Sequence, residues 1–101
     1  MRRAARIDAN QNRIVKLWRD MGASVLILSM VGKGCPDCLV SVHGNNMLVE
    51  IKDGDKPPSA QKLTPDEQKF HDEWQGQVCI IRTDKEAIEL INFMRRGDDF
   101  K

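Results

Sequence analysis

Tyrosine is absent from the 101 residues, and the other aromatics amount to two Trp and three Phe. That scarcity excludes an extended stacking platform for single-stranded nucleic acid, which needs a row of exposed rings. An excess of one charge is missing as well. Sixteen Lys and Arg stand against 15 Asp and Glu, a net charge of +1, so no uniformly basic nucleic-acid coat is indicated. Arg2, Arg3 and Arg6 cluster near the start, where a basic edge and a simply solvated terminus are both open readings. No apolar run approaches the roughly 20 residues that span a bilayer, which excludes a membrane-spanning helix. Cysteine is scarce and odd in number, three in all, and no apolar leader follows Met1-Arg2-Arg3; both features predict a reducing, cytoplasmic setting.

What is present suits one small domain covering residues 1–101. Hydrophobic residues make up 41% and charged residues 31%. A chain of this length buries roughly 60–70% of its unfolded surface, enough for one modest core without disulfide or metal staples.

Ile7, Ile14, Trp18 and Met21 recur at helical spacing and predict an amphipathic helix over 7–21, ended by Gly22. Gln11 lies in phase with that stripe, either as a boundary residue packing its methylenes or as a functional amide. Residues 23–30 form a short apolar run between glycines and predict a strand. Gly32-Lys33-Gly34-Cys35-Pro36 predicts a loop. Residues 37–42 and 47–52 predict two strands of a hairpin around His43-Gly44-Asn45-Asn46. A turn centred on Gly44-Asn45 would pair Leu39 with Glu50 and Asp37 with Lys52. Residues 53–62 predict a polar loop. Thr64, Pro65 and Glu67 then open a helix with a capping box, and Phe70 and Trp74 are its candidate core residues. Val78-Cys79-Ile80-Ile81 predicts a buried strand, and Thr83 with Glu86 a second capping box before a last helix. The predicted fold is α/β, a central mixed sheet flanked by helices in the order α-β-β-β-α-β-α.

Glu50 and Lys52, two apart in a strand, project from one face, while Val49 and Ile51 project from the other. The hairpin brings Asp37 to the face of Glu50 and Lys52. Two carboxylates and an ammonium beside a Gly-Pro loop suit a hard divalent cation such as Mg2+, which keeps several waters and uses one or two protein carboxylates. Such a cation polarises a phosphoryl oxygen and acidifies bound water, and Lys52 would stabilise developing negative charge. Phosphodiester hydrolysis is the chemistry implied. A cross-strand salt bridge worth about 0–1 kcal/mol is the alternative reading of the same residues.

Pro36-Asp37, followed after twelve intervening residues by Glu50-Ile51-Lys52, resembles the PD-(D/E)XK nuclease signature. The stretch from Gly34 to Trp74, with GCPD, LVEIKDG, KLTPDEQ and HDEW, resembles more closely the small stand-alone phage and bacterial nucleases of the VRR-NUC family. That resemblance implies a restriction-endonuclease-like core and a Mg2+-dependent endonuclease acting on DNA, branched DNA included, with Mn2+ able to substitute. It implies that Asp37 and Glu50 bind the metal with the Ile51 carbonyl, that Lys52 is catalytic, and that Gln68 sits beside the site. The family's first helix commonly supplies a glutamate; here that position matches Gln11, whose amide offers an oxygen but no charge. Asp8, one turn earlier, is a candidate substitute or the helix N-cap. A nucleic-acid-binding nuclease fold with weakened or lost catalysis is therefore the alternative. Lys33, Lys56 and Lys62 are the candidate phosphate contacts on loops. Because one domain carries one site, cutting two strands implies a homodimer.

Cys35-Pro36-Asp37-Cys38 is a C-x-x-C motif, but the strand pattern after it lacks the helix start that depresses a redox thiol, and Cys79, His43 and His71 do not complete a zinc spacing. Cys38 and Cys79 read as small core residues and His71 as a boundary residue.

Overall fold

The fold is taken from a computed structural model that describes residues 10–96. Asp8 and the Arg2, Arg3 and Arg6 cluster lie outside the described residues, as does the expected first turn of the opening helix. Three α-helices and four strands follow one another as α1 (Gln11–Asp20), β1 (Ser24–Ile27), β2 (Cys38–Val42), β3 (Asn45–Ile51), α2 (Pro65–Glu73), β4 (Val78–Ile81) and α3 (Asp84–Arg96). The expected α/β class and element order are those observed, with a short 3-10 turn at Pro58–Gln61 inside the expected polar loop. No described helix is long and apolar enough to cross a membrane.

The sheet order is β1-β2-β3-β4, antiparallel except for the parallel β3–β4 pair, so the sheet is mixed. Period-two alternation divides the strands between two faces. Val25, Cys38, Val40, Val42, Met47, Val49, Ile51 and Ile81 face a core closed by Ile14, Val15 and Trp18 of α1 and by Ala87, Leu90, Ile91 and Met94 of α3. Trp18 has no exposed surface, and its indole N–H donates to the Ala87 carbonyl at 3.0 Å, joining the two helices. On the other face lie Leu39, Leu48, Glu50 and Lys52.

The hairpin register differs from the one expected. Cys38 pairs with Val49 and Val42 with Asn45, so the turn is His43-Gly44, one residue earlier than Gly44-Asn45. Both turn residues have positive φ, +52° for His43 and +79° for Gly44, as a two-residue hairpin with right-handed twist demands. Asn45 thereby enters the strand, where its side-chain amide donates to the Met94 carbonyl at 2.9 Å. The ladder extrapolates to Asp37 opposite Glu50 rather than Lys52. The shift moves partners by two residues, which leaves every side chain on its expected face.

α2 begins as its sequence requires. The Thr64 hydroxyl accepts from the Glu67 N–H and the Glu67 carboxylate accepts from the Thr64 N–H, with Pro65 in the first turn. α3 differs from the expected reciprocal box: Thr83 Oγ1 accepts the Glu86 N–H, but the Glu86 carboxylate accepts the Arg82 N–H at 2.7 Å. The expected core placement of Trp74 is also corrected. It is 46% exposed, because α2 presents no buried residue to the sheet, and it stacks on half-buried Phe70 at a centroid distance of 5.1 Å.

Candidate active site

At the end of the hairpin remote from its turn, three elements converge. Buried Pro36 leads the chain into β2, and the Asp37 carbonyl accepts the Leu28 N–H at 2.8 Å, which extends the sheet past the last paired strand residue. Asp37 Oδ2 accepts the Ile51 N–H at 2.7 Å, so the carboxylate is fixed against the backbone between Glu50 and Lys52. Lys52 is anchored in turn: its N–H donates to the Ile81 carbonyl of β4, and its carbonyl accepts from the buried Asn10 amide just before α1. Asp37, Glu50 and Lys52 thus meet at one end of one sheet face.

The charges there are held out of water. Glu50 is 3% exposed and Lys52 8%. Lys52 Nζ lies 3.7 Å from Glu50 Oε2 and 2.8 Å from Glu67 Oε1. Burial pushes the Glu50 carboxyl up to about 9, with the Asp37 and Glu67 carboxylates adding to the rise, a hydrogen bond to Asp37 reinforcing it, and Lys52 offsetting part of it. The offset is small because the ammonium sits closer to Glu67. Glu67 behaves oppositely. Burial would raise it, but hydrogen bonds from Lys52 and from the Thr64 N–H outweigh that and hold it below the usual range. Glu50 Oε1 and Gln11 Oε1 are buried oxygens without a hydrogen-bond partner. A buried acceptor left so is costly unless something positive or protic reaches it.

Glu67 is the member that sequence reasoning missed, since its capping role already accounted for it. Gln68, expected beside the site, is exposed on the next position of α2, and its amide donates to Asp72 one turn on at 2.8 Å. The helical turn that brings Glu67 onto Lys52 rotates Gln68 away. Asn10 was missed because its contacts are remote in sequence.

Gln11 is 2% exposed, and its amide donates to Ser29 Oγ at 3.1 Å, beyond the end of β1. Lys33, in a left-handed conformation with φ +57°, lines a cleft with Asp66, Lys69, Phe70 and Glu73. Lys62 lines a separate cleft with Pro58, Gln61 and Arg82, and Lys56 is exposed on the loop between them and β3. The three loop lysines therefore do not form one patch. His71 is half-buried one turn after Glu67, with its ring pKa lowered by burial, and its Nε2 has no partner.

No group of three or more His, Cys, Asp or Glu disposed for a metal ion occurs among the described residues. The side chains that do meet, Asp37, Glu50 and Glu67 around Lys52, are oxygen donors and an ammonium, without the three or four nitrogen or sulfur ligands that zinc requires. The C-x-x-C thiols fit neither a redox nor a zinc role. Burial raises Cys38 to about 12, and burial together with Glu50 and Asp37 raises Cys35, whereas a reactive thiol needs the opposite shift. Cys38 is fully buried; Cys79 is half-buried against the core, its thiol also raised to about 12 by burial.

Comparison with protein-family models, with curated proteins and with solved structures finds no match to this chain.

Proposed function

We propose that this domain is a divalent-metal-dependent nuclease that hydrolyses DNA phosphodiester bonds, with the restriction-endonuclease-like core of the PD-(D/E)XK and VRR-NUC enzymes its sequence resembles. The observation that carries the reading is Glu50: a carboxyl 3% exposed, pushed up to about 9, hydrogen-bonded to Asp37 and 3.7 Å from Lys52. Burying such a set without use is costly, and a cation between the carboxylates would remove most of that cost. Asp37 and Glu50 would hold Mg2+ or Mn2+, with the Ile51 carbonyl and the Gln11 amide oxygen as uncharged donors. Bound there, the ion supplies Lewis-acid polarisation of a phosphoryl oxygen and a more acidic water.

The chain's own groups do the rest. Lys52 donates to the incoming water or to a non-bridging phosphoryl oxygen and stabilises charge as it develops; Glu67 and the capped start of α2 fix the position of Nζ. Burial of the site excludes bulk water and strengthens each of these interactions. Two sites are needed to cut two strands, so we assign the active form as a homodimer acting on duplex or branched DNA, in the reducing cytoplasm of a bacterial or phage-infected cell.

A second reading rests on Gln11. A buried, neutral amide stands where the resembled family has an acid, which favours a nucleic-acid-binding fold with weakened turnover. Incubating labelled linear, single-stranded and branched DNAs with Mg2+, Mn2+ or chelator separates the two. Metal-dependent cleavage by the wild type supports the nuclease; a silent wild type activated by Gln11→Glu supports the binding fold.

A further inference from the structure

The sheet face that carries Glu50 and Lys52 continues past them, toward the hairpin turn, into a cleft of about 480 Å3 lined by Leu39 and Leu48, by residues 44–46 at the turn, and by Trp74, Gly76 and Gln77. Leu48 precedes Glu50, and Leu39 follows Asp37, by two residues each. At about 3.4 Å rise per residue the cleft therefore begins about 7 Å from Glu50 along the strand and reaches about 14 Å from it at Asn46. Its floor is apolar, because Leu39 and Leu48 are cross-strand partners. Its wall is aromatic: Trp74 is 46% exposed, with its ring near parallel to that of Phe70, 17° between planes. Phe70 borders the neighbouring cleft with Lys33 and Lys69, while Trp74 borders this one. Amides rim it, and Gln77 is fixed there by donation to the Asn46 carbonyl at 2.6 Å. Gly76 permits the close approach, since a Cβ at that position would stand 2.8 Å from Trp74 Nε1.

We infer that this cleft is a nucleobase subsite, in which one unpaired base of the bound strand stacks on Trp74 while a phosphate farther along the same strand lies at Asp37, Glu50 and Lys52. The inference rests on the nuclease reading and adds to it a substrate class: DNA with an unpaired nucleotide near the scissile bond. Two features select a base over an apolar peptide. The wall is a flat ring already stacked on one side, and the rim carries amides able to meet base edges. A base inside a duplex is stacked on its neighbours and cannot enter, so a single strand, flap or splayed junction arm is required.

Trp74 is its own reporter, because the second tryptophan, Trp18, is fully buried and does not sense the cleft. Titration of the full chain with a 12-nucleotide oligothymidylate, in chelator and again with Mg2+, is expected to quench the exposed tryptophan. A blunt duplex of equal length is expected to quench it far less. Trp74→Ala should weaken single-strand affinity by about 5- to 150-fold, the range of one lost base stack, and Trp74→Phe should recover most of it. Equal quenching by duplex, or Trp74→Ala binding as tightly as wild type, overturns the subsite. So does a fluorescence change that follows protein concentration without DNA, which would assign the cleft to a second copy of the chain. Cleavage is scored separately: metal-dependent cutting with no Trp74 effect sinks the subsite alone, whereas Trp74-dependent binding without cutting by any metal sinks the nuclease.

Discussion

Glu50 ties folding to pH at the level of a single side chain. Folded, it keeps its proton up to about 9, whereas an exposed glutamate releases it near 4.5. Between those values the folded chain binds the extra proton, so this contribution to stability is complete below 4.5 and disappears as pH rises through about 9. The metal-free wild type should therefore unfold at lower urea concentration near pH 8.5 than near pH 5.5. Glu50→Gln should flatten that difference and be the more stable of the two at the alkaline end. Added Mg2+ should raise the wild-type midpoint but leave Glu50→Gln and Asp37→Asn unmoved. Asp37, Glu50 and Lys52 were legible in the sequence because two short patterns, Pro-Asp and Glu-x-Lys, sit on strands whose period fixes a face. Glu67 was not, because a glutamate three residues after Thr64 is fully explained by the cap, and nothing local shows that the same oxygen accepts a second hydrogen bond from Lys52.

Among the elements, the loop before β2 and the start of α2 behave as one piece. Gly34 has φ +78°, and a Cβ there would stand 2.2 Å from the Asp66 carbonyl oxygen, backbone that cannot yield cheaply. Gly34→Ala should cost about 1–2 kcal/mol for the left-handed conformation alone and more for the clash, and should lower activity by displacing Glu67 from Lys52. Thr64→Ala removes the cap and should cost about 0.5–2 kcal/mol with a smaller activity loss, because the Glu67 carboxylate keeps both the Thr64 N–H and Lys52. Denaturant midpoints and rates on one substrate check both. The helices and strands themselves were readable from periodicity and caps. The hairpin register was not: Gly44 could occupy either turn position, and with His43-Gly44 in the turn Asn45 reaches the Met94 carbonyl of α3 on the core face.

For the molecule as a whole, one sheet face packs the core and the other carries the proposed site. Trp18 joins α1 to α3 and to the sheet from the centre of that core, so Trp18→Ala should cost about 3–5 kcal/mol, a large share of a small domain's stability, seen as a steep fall in denaturant midpoint. The edge strand β1 leaves Leu26 58% and Ile27 43% exposed. The proposed homodimer predicts a sedimenting species of twice the 11.5 kDa chain mass at micromolar concentration. The class of fold was legible because its elements are short and well punctuated; the exposure of Trp74 was not, since Phe70 and Trp74 at helical spacing look like core until α2 is seen to bury no residue. The rate of DNA cleavage by Lys52→Ala against wild type, in Mg2+ and in chelator, tests the central assignment most directly. A metal-dependent wild-type rate that falls by at least about 100-fold in the variant, with folding intact, is the expected result. Equal rates for the two proteins, or cleavage that persists in chelator, would contradict it.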